Sequence, residues 1–148
     1  MRRNFISAIF IVAASALLAA QSASYDPANE KDYAGTIKTV VSFQAADGSV
    51  GVHFDLKTED GKIVSVHVGP ALYVGMQNFF FFAEDKVDIT GVKTTADGNV
   101  FIEARSIAKG GSTLVLRDGT GKPKWAGFDN GIDGCGVNHI PLPRNTER

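Results

Sequence analysis

The chain has one cysteine, Cys135, so it cannot close an internal disulfide, and its stability has to come from packing. It also lacks a charge excess: 15 basic residues face 16 acidic ones, for a formal net charge of −1. A protein so balanced has no bulk attraction to a phosphate backbone, and nucleic acid is not an expected partner. Enzyme templates are missing as well. There is no Gly-x-Ser-x-Gly elbow, and Gly110-Gly111-Ser112 lacks the lysine that a phosphate-cradling loop carries. No catalytic residues are expected, and the chain reads as a non-enzyme.

Long apolar runs are absent except at the beginning. Arg2 and Arg3 precede an apolar stretch from Phe5 to Ala20, and small residues follow at Ser22, Ala23 and Ser24. That is the layout of a secretory signal peptide over residues 1–24, with cleavage after Ser22 or Ser24. The rival, an uncleaved anchor, fits less well because a spanning helix needs roughly 20 apolar residues. Removal takes the basic count to 13 against 16 acidic residues, a net charge of −3, and leaves no transmembrane segment. The expected location is periplasmic or secreted.

The remainder is organised around Lys62 to Phe82, where the apolar period changes from two to that of a helix. Up to Val68 the residues alternate as in a strand; after Gly69-Pro70, Leu72, Met76 and Phe79 recur at helical spacing, with Pro70 placed as the first helical residue. Residues 25–32 are polar and read as a flexible arm. The domain then runs over 33–126.

Its first strand, Tyr33 to Gln44, brings Ile37, Val41 and Phe43 to one face. Asp47-Gly48 turns into a second strand, Ser49 to Lys57, and Asp60-Gly61 into a third, Lys62 to Val68. After the helix come strands from Lys86 to Lys93, Asn99 to Ile107 and Ser112 to Arg117. Three strands, a short helix and two or three more strands give a mainly β fold: an OB-fold-like barrel of five to six strands, with one short helix between strands 3 and 4. Gly127 to Arg148 is rich in glycine and proline, and is expected to be an irregular tail over 127–148.

The segments VSVHVGPALYV and STLVLRDGTGKPKWAG, joined by KVDITGVKTTADGNVFIEARSI, resemble those of small exported bacterial proteins with an OB-fold-like (BOF-type) domain. The likeness covers Tyr33 to Gly127. It implies a fold and a compartment and brings no site residues with it.

Few residues remain for chemistry. His53 and His67 fall on neighbouring strands, on the faces opposite the valines, and the Asp60-Gly61 turn brings them close, as two solvent-facing imidazoles or as part of a transition-metal site. Cys135 and His139, four apart in the tail, are the other candidate metal ligands. Without a metal there, no cofactor is expected. Phe79 to Phe82 read as buried aromatics rather than a stacking platform, because no arginine or lysine lies between Val68 and Ala83. The expected function is that of an exported binding or accessory module for a protein partner or ligand. A periplasmic metal or redox accessory protein using His53 and His67 is the alternative, and single-stranded nucleic-acid binding the third.

Overall fold

Turn chemistry fixes the first register. In the computed structural model, which describes residues 25–44, 48–96, 98–126 and the backbone of 140–141, Gly61 takes a φ of 84° and the Asp60 carboxylate bonds the Thr58 hydroxyl. This clamps strand β2 (Val50–Thr58) onto β3 (Ile63–Pro70). Strand β1 (Glu30–Gln44) completes the meander; after helix α1 (Ala71–Met76), β4 (Lys86–Ala96) and β5 (Asn99–Lys109) form a hairpin, and β6 (Ser112–Val115) folds back on β5.

The strands close on themselves. β1 pairs antiparallel with both β2 and β4, and β3 pairs parallel with β5 over Ser65 to His67, so the order around the ring is β1-β2-β3-β5-β4-β1. Among the described residues the fold is mainly β, with one short helix between the third and fourth strands, as expected. Inside the ring lie Ile37, Phe54, Leu56, Val66, Ile89, Ile102 and Ile107, none more than 1% exposed. Burying each such side chain contributes about 1.5–3 kcal/mol against the unfolded chain.

Two strand irregularities shape the ring. The register of β1 against β2 shifts between Ile37 and Thr39. Ile37 stands opposite the core residue Leu56, but Val41 stands opposite His53, on the other face. The face expected to carry Ile37, Val41 and Phe43 together is therefore split, with Val41 and Phe43 outside. A second shift, at Thr90/Gly91, brings β4 so close to β5 that a Cβ on Gly91 would lie 2.5 Å from the Glu103 carbonyl oxygen. Gly91→Ala is expected to lower stability by about 1–3 kcal/mol in urea unfolding; an unchanged midpoint would mean that the backbones separate freely there.

Three further expectations need correction. The polar stretch 25–32 enters the fold: Asp26 caps a 3-10 turn over Pro27–Asn29, and Glu30 already pairs with Val92. The helix is only six residues long, with Pro70 as its N-cap rather than its first residue, and it buries Tyr73 and Val74 while Leu72 and Met76 are exposed. So short a helix buries whichever side its flanking strand aims inward. Here that side carries Tyr73, whose hydroxyl donates to the Val115 carbonyl at 3.0 Å and whose ring lies 5.6 Å from that of Trp125.

Asn78, at φ 51°, ends the helix, and the phenylalanines then alternate. Phe79 and Phe81 enter the core; Phe80 and Phe82 are 58% and 63% exposed. Within the tail, Ile140–Pro141 forms a two-residue strand, β7, antiparallel to Phe43–Gln44. The signal segment and the rest of the tail lie outside the described residues.

Candidate functional site

The β2–β3 register sets His53 directly opposite His67. Their rings stack with centroids 3.8 Å apart and planes 13° from parallel. Phe101 of β5 stacks on the far side of His67, at 3.8 Å and 9°, while Phe43 of β1 leans on His53 at 4.7 Å and 42°. The result is a column of four rings across the outer face of β1, β2, β3 and β5. His53 is only 3% exposed, although it was expected to face solvent. The cause is the β1 irregularity, which turns Phe43 outward and over it.

This geometry bears on metal binding in a specific way. Lone pairs of imidazole nitrogens lie in the ring plane, and two nearly parallel planes send them side by side rather than to one point. A shared ion needs one ring to turn out of the stack, and structural zinc sites want four ligands. Among the described residues no group of three or more His, Cys, Asp or Glu side chains is placed to hold an ion. Cys135 and His139 lie outside the described residues.

Beside the column sits an ion pair that the sequence did not announce. Glu103, opposite His67 in the β3–β5 register, is bonded by Arg117, which is itself 7% exposed and donates from Nη1 to the Gly121 carbonyl at 3.1 Å. The guanidinium carbon lies 4.8 Å from the Tyr25 ring centroid and 5.4 Å from that of Trp125. Burial raises the Glu103 pKa, and Arg117 offsets part of the rise. Tyr25 donates to Glu30 Oε1 at 2.7 Å, and burial together with that bond pushes its phenol well above the usual range. Arg117 follows a strand and precedes an Asp-Gly turn, a position that ordinarily reads as surface.

A third feature is the apolar surface at the helix end. Leu72, Met76, Phe80 and Phe82 are each more than half exposed. The loop that carries the last two is held in place: Lys109 Nζ donates to the Phe80 carbonyl at 2.6 Å and to Asp85 Oδ2 at 2.7 Å, and lies 5.3 Å from the Phe82 ring centroid. The cation missing from the segment's own sequence thus arrives from β5.

At the ring end near the Asp60-Gly61 turn, a cavity of about 320 Å³ is lined by Tyr33, Val64 and Ile102, with Asp32, Glu59 and Lys93 around it. Its charges are mixed. Asp60, also on its rim, is held down to about pKa 2 by Lys62 and Thr58, as befits a carboxylate that forms the turn. Among the described residues, no helix is long and apolar enough to cross a membrane.

Compared with known proteins, residues 29–114 match the model of the MamS/MamX magnetosome protein family. That span takes in β1 to β5 with α1, and so the whole ring. No curated protein and no solved structure matches the chain.

Proposed function

The chain belongs to the MamS/MamX magnetosome protein family, and on that premise we propose that it is an exported, non-enzymatic accessory module of the magnetosome, an OB-fold-like domain that holds a protein partner. The observation that carries this reading is the exposure of Leu72, Met76, Phe80 and Phe82, four large apolar side chains within residues 72–82. Large apolar side chains grouped on a surface mark an interaction site, and aromatic anchors supply most of the energy at protein interfaces. Lys109 fixes the loop, so little ordering entropy is left for binding to overcome. The signal-like segment at 1–24 supports export.

The reading is tested by cross-linking in cells and isolation of the complex from a magnetosome fraction. The native chain is expected in a complex from which Phe80→Ser/Phe82→Ser falls away by about tenfold or more, with its melting temperature unchanged because both rings are exposed. Undiminished complex in the double variant would remove the apolar surface from the account. The metal alternative has the adjacency of His53 and His67 in its favour and their parallel stacking against it.

A further inference from the structure

β1 pairs with β2 only from Gly35 onward, opposite Thr58; from Glu30 to Ala34 it is paired with β4 alone among the described residues. Where β1 and β2 part, the cavity of about 320 Å³ opens between the first half of β1 and the β2–β3 turn. Tyr33 and Val64, both half-buried, line it above Ile102, which is sealed from water. The eight residues of β3 separate this end of the ring from the helix by about 25 Å. The segments 45–47 and 127–139 leave and rejoin the described chain at the helix end, where Gln44 pairs with Val50 and Ile140 and where Trp125 lies against Tyr73. We propose that the cavity binds a small zwitterion with an apolar body, of the class of a free apolar amino acid. This site stands apart from the accessory-module reading and does not depend on it.

Three features choose this ligand. The first is a pair of opposite charges that border one cavity without meeting: Glu59 on the β2–β3 turn and Lys93 on β4 have no ion-pair or hydrogen-bond partner among the described residues. A molecule carrying both an ammonium and a carboxylate answers both; a singly charged one leaves half of the site unanswered. The second is that the walls stand ready. Asp32, on the β1 side, accepts from the Thr90 hydroxyl at 2.7 Å through Oδ1, and its other oxygen is left to face an ammonium. Asp60 is spent on the turn, bonded by Thr58 and paired with Lys62 at 2.8 Å, so the turn that carries Glu59 is held before any ligand arrives. The third is the lining. The Tyr33 ring and Val64 offer apolar surface, and the Tyr33 hydroxyl has no partner among the described residues. Burial raises its pKa, so it stays a neutral donor for a carboxylate oxygen. A metal ion does not suit the same groups, since among the described residues no three His, Cys, Asp or Glu side chains are placed to hold one. The volume lies at the lower end of the range for small-molecule sites, about 300–1,000 Å³, and suits one amino acid rather than a large cofactor.

The probe is L-leucine, titrated into the full chain while the backbone amide signals of Tyr33, Glu59 and Lys93 are followed by NMR. Saturable shifts are expected with a Kd of about 1 mM or tighter. Leucinamide, which lacks the carboxylate, isocaproate, which lacks the ammonium, and glycine, which lacks the apolar body, should each bind about tenfold more weakly. Lys93→Gln should abolish the preference for leucine over leucinamide while keeping that over isocaproate. Glu59→Gln should narrow the preference over isocaproate by about fivefold while keeping that over leucinamide. Both residues are exposed, so the thermal midpoint should stay in place in either variant. No saturation by about 10 mM leucine overturns the proposal. So do preferences that neither variant moves, or glycine bound as tightly as leucine.

Discussion

Phe54→Ala is expected to lower the unfolding free energy by about 3–5 kcal/mol, the range for a large aromatic removed from a packed core. Phe54 is 1% exposed at the middle of β2, flanked by Val40 of β1 and Val66 of β3, and its ring centroid lies 5.2 Å from that of Phe81. The loss is therefore compounded. Deleting the ring removes its own burial and also unseats Phe81, one of the two phenylalanines that hold the loop after α1 against the ring of strands. Urea unfolding reads the effect as a lower midpoint with an unchanged slope. A change below about 1 kcal/mol would show that the core collapses around the gap and that Phe81 has another seat.

Arg117→Met is expected to have a comparable effect by another route, one that depends on pH. Glu103 and Arg117 have side chains 19% and 9% exposed, so each charge is largely out of water. Removing one partner of such a pair leaves the other uncompensated, at a cost of about 3–5 kcal/mol. The sign follows from Glu103. Burial already raises its folded pKa above the ordinary 4.5, and without Arg117 nothing offsets the rise.

A carboxyl whose folded pKa is raised contributes stability that is complete below its unfolded value of 4.5 and lost as the pH climbs through the folded value. The Arg117→Met protein should accordingly be closest to native stability near pH 4.5 and fall away toward neutrality. Adding Glu103→Gln should recover much of the loss at pH 7 and flatten the profile. A pH-independent loss that Glu103→Gln does not touch would place the effect in the packing of the arginine stem against Tyr25 and Trp125.

These two sites also divide what the sequence reveals from what it conceals. Phe54 is legible: Val52, Phe54 and Leu56 alternate, the Asp60-Gly61 turn fixes the partner strand, and the inward face follows from local rules. Arg117 and Glu103 are not: the β5–β6 hairpin brings them near each other, but the Tyr25 ring over the guanidinium comes from the other end of the domain. The same limit applies to His53. Alternation put it on the outer face, correctly, but its burial depends on Phe43 and His67 from other strands, and Phe43 is aimed there by a one-residue irregularity in β1.

The helix shows a different failure. Leu72 and Met76 have the right spacing for a buried stripe, yet a helix of six residues has too few turns for period alone to choose the buried side. Tyr73, with a hydroxyl partner on β6 and Trp125 beside it, makes the choice. Of the expected site residues, then, the structure brings His53 and His67 together. It adds Phe43 and Phe101, whose only signal in sequence was that each lies near the end of a strand at a polar turn.

The ring also carries an order of assembly. Its other neighbour pairs are antiparallel, while the junction of β3 with β5 is parallel and spans only Ser65 to His67 against Phe101 to Glu103. Parallel pairing is somewhat weaker per residue, and contacts distant in sequence close late because the intervening chain must first be ordered. The β1–β2–β3 meander and the β4–β5 hairpin can each form alone, and the seam is sewn last. His67 against Phe101 then serves as a side-chain rivet at the place where the backbone has the fewest stitches, and what loosens it opens the ring.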